Sequence, residues 1–171
     1  MKVSYTLGII VLVMMGLATS PTNAQTWDQQ LLDSTRFKVL LKWGGAGVLD
    51  RDTGLVWEKS PSLIQGSITN FNWLDAQSHC NTLTVGNRER WRLPTVQELV
   101  SLVDYSVANP GPVLPSGHPF IGVQQDLYWS ADTFASNPAG IAWVVDFIYG
   151  NVTTRVQSLS YFVWCVYDGE R

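Results

Sequence analysis

Residues 72–80, Asn72-Trp73-Leu74-Asp75-Ala76-Gln77-Ser78-His79-Cys80, decide how this chain is put together. Asn70 or Asn72 can cap a helix there, and Trp73, Ala76, Cys80 and Leu83 recur on one face at helical spacing. Cys80 therefore faces inward. The only other cysteine is Cys165, near the end of the chain. Upstream, Lys2 precedes an apolar run from Leu7 to Leu17, and Thr22-Asn23-Ala24 follows it, so residues 1–24 read as a secretory signal peptide cleaved after Ala24. The run is well short of the roughly 20 residues that cross a bilayer, and no membrane insertion is expected after cleavage. In an oxidising compartment a lone cysteine pair is expected to bridge, and a Cys80–Cys165 disulfide would close a loop of 165 − 80 = 85 residues.

Removing residues 1–24 leaves 171 − 24 = 147 residues, a length that fits one domain and one core. The formal charge moves from −3 to −4 with the loss of Lys2, which gives no reason to expect a nucleic-acid partner. Residues 25–35 read as a polar N-terminal arm, and the domain proper as 36–171. Strands are expected at Phe37–Leu41, Val48–Leu49, Leu55–Trp57, Trp91–Leu93, Tyr128–Ala131, Ala142–Tyr149, Val152–Arg155 and Phe162–Tyr167. Thr95-Val96-Gln97-Glu98 is a capping box, with threonine and glutamate answering each other's backbone donors, and it opens a second helix through Leu99, Val100, Leu102 and Val103. Residues 106–125 are rich in proline and glycine and read as a long surface loop. Such loops inside compact domains are usually functional or disordered. Strands, two helices, a long loop and strands again point to an α+β fold.

Several ordered blocks resemble the Lcl C-terminal domain family. They are the segment from Arg36 to Pro61, Asn72-Trp73-Leu74-Asp75-Ala76 with Cys80, and Trp91-Arg92-Leu93-Pro94-Thr95 with Glu98-Leu99. Gly117-His118-Pro119-Phe120, Tyr128-Trp129-Ser130, the run Ala142 to Phe147 and Val163-Trp164-Cys165-Val166 complete the set. The resemblance implies a C-type-lectin-like fold of antiparallel strands with two helices, in which a helix built like Trp73, Ala76, Cys80 bridges to a cysteine on the final strand. It agrees with the pairing expected from compartment alone. A well-known relative uses such a domain to bind sulfated glycosaminoglycans. Here that reading would need Arg88, Arg90 and Arg92 to form an exposed cluster, and Arg92 reads better as an ion-pair partner of Glu98.

Formylglycine-generating enzymes are distantly similar through their Trp-x-Asp-Ala helix and Arg-Leu-Pro-Thr-x-x-Glu segment. Their oxidation needs a reactive cysteine pair near the C-terminus, and here Cys165 is claimed by Cys80. His79 and His118 lack ligand-spaced partners, so no metal or cofactor is expected. Ser116 and Asp126 with the histidines make no hydrolytic triad, because no nucleophile turn surrounds a serine. Asp50-Arg51-Asp52-Thr53-Gly54 opens like a calcium loop but lacks the closing glutamate, and reads as a hairpin turn. Of the eight tryptophans, Trp73, Trp91, Trp129, Trp143 and Trp164 are expected in the core, and Trp27 and Trp43 outside it. The sequence thus predicts a secreted or periplasmic, non-catalytic binding or adhesion module. One face, built from loops 106–125 and 132–140, would present Asn109, His118, Gln125, Asp126 and Asn137 to a glycan, a protein or a surface polymer. An enzyme of the sulfatase-modifying type and a structural subunit of a surface assembly are the alternatives. Nothing in the sequence sets the oligomeric state.

Overall fold

The computed structural model describes residues 36–61, 63–64 and 67–169. The expected signal peptide, the arm 25–35 and Trp27 lie outside the described residues.

Among the described residues the fold is α+β, with antiparallel sheets, two α-helices and one disulfide. Strands β1 (Phe37–Val39), β2 (Gly47–Asp50), β3 (Val56–Glu58) and β9 (Val166–Tyr167) form one sheet in the order β1-β2-β3-β9, which brings the start and end of the domain side by side. Strands β4 (Leu63–Ile64) and β5 (Ser67–Ile68) pair with each other. Strands β6 (Leu127–Thr133), β7 (Ile141–Asp146) and β8 (Val152–Val156) form a second main sheet in that order. Helix α1 (Trp73–Thr82) is capped by Asn72, whose side chain accepts the Asp75 N–H at 3.0 Å. Helix α2 is a single turn and a half, Val96–Val100, opened by the capping box that the sequence predicts.

The segment 162–167 explains why there is one fold rather than two layers laid side by side. Phe162, Trp164 and Val166 enter one buried cluster with Trp57, Leu99, Tyr128 and Phe147. Val163, Cys165 and Tyr167 enter a second cluster with Trp43, Ala76, Cys80, Trp91 and Trp129. This strict alternation is that of an extended chain, whose successive side chains leave on opposite sides, so the segment is a wedge with apolar groups on both faces. Cys165 meets Cys80 across a Cα–Cα distance of 5.5 Å and joins the wedge to α1.

Several expectations are corrected. Trp43 is buried, only 3 % exposed, because it packs edge-on against both Trp91 and Tyr167. Trp73 and Trp143 are half-buried rather than core. The expected strand Trp91–Leu93 is reduced to one bridge between Arg92 and Val166, and the expected strand Phe162–Tyr167 to β9 and bridges at Tyr161 and Phe162. The loop 106–125 is not simply surface. Val113, Leu114 and Phe120 are buried, and the Gly111 and Val113 amides bond to the Ile148 and Phe147 carbonyls at 3.0 Å. The loop thus seals one end of the β6-β7-β8 sheet.

Candidate functional site

The side chains of Trp91 and Leu93 are buried, so Arg92 between them points outward. Its backbone exchanges two 2.9 Å hydrogen bonds with Val166, which places its guanidinium where the chain leaves β9. There Arg92 Nη1 and Nη2 donate to Glu98 Oε2 and Oε1 at 2.8 and 2.7 Å, the bidentate fork that guanidinium and carboxylate geometry favour. Arg92 Nε donates to Asp168 Oδ1 at 2.9 Å, and Nη2 reaches the same oxygen. Glu98 is aimed by the capping box, since its Oε2 accepts the Thr95 N–H at 2.7 Å while Thr95 Oγ1 accepts the Glu98 N–H at 3.2 Å. The ion pair between Arg92 and Glu98 was legible in the sequence. Asp168 was not.

Around this cluster lies an open cleft of about 510 Å³, lined by Thr53, Gly54, Leu55, Arg92, Glu98, Asp168 and Gly169. Thr53 and Gly54 come from the β2-β3 turn, which is the hairpin turn the sequence predicts for 50–54. Its base is tight: a Cβ on Gly169 would stand 2.7 Å from the Gly54 carbonyl oxygen, and Gly169 has φ +80, so glycine answers both the close approach and the left-handed backbone. A smaller hollow of about 110 Å³ adjoins through Asp168 and Gly169 and adds Arg90 and Tyr167. One guanidinium between two carboxylates leaves the cleft with surplus negative charge and oxygen acceptors. The Glu98 bond raises the Arg92 pKa further, against the opposing effect of burial. Burial works against ionised Glu98, but its bonds from Arg92 and Thr95 outweigh that and hold its pKa below the usual value.

The three arginines form no common cationic patch. Arg88 lies over the Trp43 ring at 5.3 Å, Arg92 is enclosed by carboxylates, and Arg90 alone is exposed at the hollow.

The residues expected to form one binding face are not brought together. Asp126 and the loop 106–125 lie where Leu127 pairs with Asp146, whereas Asn137 turns the opposite end of the β6-β7 hairpin, beyond Thr133 and Ala142. At roughly 3.3 Å per residue the strand between them spans about 20 Å. Asn109, Gln125 and Asn137 are exposed. His118 is half-buried, stacks on Phe120 and accepts its backbone N–H on Nδ1 at 3.2 Å, and burial lowers its pKa. Asp126 accepts the Leu127 N–H at 2.7 Å. His118 and Asp126 thus shape their own loop. His79 is half-buried against Phe71, and among the described residues no group of three histidine, cysteine, aspartate or glutamate side chains is arranged to hold a metal ion.

The family model of the Lcl C-terminal domain matches residues 46–167. The chain belongs to that family. The match runs from the foot of β2 to the end of β9 and so takes in the Cys80–Cys165 bridge, the capping box, Arg92 and the cleft as far as Tyr167. A search of curated proteins finds no match. The disulfide fits an oxidising compartment, and among the described residues no helix is long and apolar enough to cross a membrane.

Proposed function

We propose that this Lcl C-terminal domain protein is an exported, non-catalytic binding module that takes a hydroxyl-rich surface polymer or glycan in the cleft around Arg92, Glu98 and Asp168. The observation that carries the reading is the cleft itself. It is open, polar and assembled from three chain segments that hold one another in place, so its donors and acceptors are set before any ligand arrives. Sugar hydroxyls both donate and accept, and Asp168, whose side chain is 64 % exposed, offers them a carboxylate in the cleft that Thr53 also lines. Both sulfurs are joined to each other, which supports a non-catalytic role because thiol-dependent oxidation requires a thiolate.

The competing surface is the hairpin loop 132–140, exposed from Ala135 to Ala139 and carrying Asn137. The experiment is a glycan array on the mature chain, followed by calorimetric titration of the best ligand into two variants. Thr53→Trp, at an exposed turn, should fill the cleft and weaken binding at least about tenfold with little change in melting temperature. Asn137→Ala should leave it unchanged. The opposite pattern would move the site to the hairpin loop and overturn the cleft assignment.

A further inference from the structure

Strand β8 leaves one edge of the second main sheet open. The bonds Asp146 N–H to Asn151 C=O at 2.8 Å and Gln157 N–H to Gly140 C=O at 2.9 Å fix which β8 residues bond to β7. With the register Val145↔Val152, Trp143↔Thr154 and Ile141↔Val156, the ladder alternates, so Val152, Thr154 and Val156 turn their backbone N–H and C=O groups away from β7. The outer edges of β6 and β9 are covered. β6 is closed by Phe162, which accepts from Trp129 and donates to Leu127, and β9 is closed by Arg92. β8 carries no such cover among the described residues, and its Val152 and Val156 are 42 % and 50 % exposed beside half-buried Ile141 and Trp143. An uncovered edge of five residues, four of them β-branched, is a template for another strand.

We propose that this edge pairs with the β8 edge of a second copy of the chain, antiparallel about a two-fold axis through Thr154. The register and the placement of charge on the strand suit that occupant. An isologous pair centred on Thr154 sets Thr154 against its own copy and Val152 against Val156 of the other chain, and these are the three residues whose amides face outward. Every outward group meets a bonding partner without a register shift. The exposed valines cover each other and extend the Ile141 and Trp143 apolar surface across the junction. The only charge on the strand, Arg155, falls opposite Thr153 rather than opposite its own copy. In the single chain, Arg155 Nη1 donates to the Thr154 carbonyl at 2.9 Å, and Leu159 N–H donates to the Val156 carbonyl at 3.0 Å. Each carbonyl has a second lone pair for the inter-copy bond. The joined sheet would run β6-β7-β8 and then β8-β7-β6 of the copy. Two copies in one particle would present two clefts to a repetitive polymer and raise avidity.

Sedimentation velocity over a wide concentration series tests this on the mature, oxidised chain. The wild type should reach twice the monomer mass. Thr154→Pro removes an N–H that faces the copy and none that bonds to β7, and should stay at the monomer mass at every concentration, with native circular dichroism. If proline distorts the strand, the double variant Val152→Lys with Val156→Lys decides, since it sets lysine against lysine across the two-fold axis, and it too should be monomeric. A wild type that remains monomeric throughout overturns the proposal. So does a dimer that survives in a folded Thr154→Pro or double-lysine variant, because it would then use another surface.

Discussion

Glu58 shows how a single residue escapes a reading by pattern. In sequence it follows Leu55-Val56-Trp57 as a polar strand end, yet the pairing of β3 with β9 on one side and β2 on the other leaves it 6 % exposed. The backbone of Cys165 supplies a hydrogen bond to its carboxyl, and Oε2 has no partner among the described residues. Burial pushes its pKa from 4.5 up to about 8, against the smaller opposite effect of that bond. The folded state therefore keeps a proton that the unfolded chain gives up. This stabilising contribution is complete below pH 4.5, falls as pH rises towards about 8 and is gone above it, with a slope of at most about 1.4 kcal/mol per pH unit. Glu58→Gln should remove that decline, so urea midpoints of variant and wild type should diverge between pH 5 and pH 9 in favour of the variant. Burial lowers the pKa of His79 and His118, so their contributions run the other way and are lost as pH falls below about 6.5. They are present in both proteins and cancel in the comparison. Equal pH slopes would place Glu58 in contact with solvent.

Among the elements, α2 is short enough that its ends are most of what holds it. Five residues cannot sustain a helix by propensity, and the capping box at Thr95 and Glu98 satisfies the first amides. Thr95→Ala should cost about 1 kcal/mol in thermal or urea denaturation. Glu98→Ala should cost more, because it also strips Arg92 of its bidentate partner in a half-buried place. The capping box and the Arg92–Glu98 pair were visible because both are local, three and six residues apart. The third member, Asp168, and the turn at Thr53 and Gly54 come from positions that meet only through the pairing of β3 with β9, and no local spacing points to them. The same limit applies to the loop 106–125. Its prolines and glycines announced a loop, but not that Gly111 would lie against the β7-β8 turn so closely that a Cβ would stand 2.1 Å from the Phe147 carbonyl oxygen. Gly111→Ala should prise the loop from the sheet end and lower stability by about 1–3 kcal/mol, read as a fall in melting temperature. An unchanged melting temperature would show that the loop is not seated there.

At the scale of the whole molecule, the disulfide and the double-sided wedge at 162–167 act on the same problem, which is holding the end of the chain inside a fold that its first strands began. Cys80 and Cys165 were legible as a pair from their number and the compartment, and α1 as an inward-facing helix from its spacing. That the wedge divides the core into two clusters was not legible, because an apolar run such as Phe162-Val163-Trp164-Cys165-Val166 shows no preference for one face. The two devices differ in kind. The wedge stabilises the native state by burial, whereas the bridge, in the chain-entropy account, removes freedom from the unfolded state across an 85-residue separation. For a loop of that length the account gives about 4.5 kcal/mol, a large part of the stability of an ordinary domain. Replacing both cysteines with alanine should therefore lower the urea midpoint strongly and leave the native near-ultraviolet spectrum in place at low temperature, since Trp57, Trp129 and Trp164 remain buried around the wedge. The single variant Cys165→Ala should fare no better in stability and should expose a reactive thiol at Cys80 on partial unfolding. If the double variant keeps the wild-type midpoint, burial along 162–167 alone closes the fold, and the bridge does no more than record where the chain already lies.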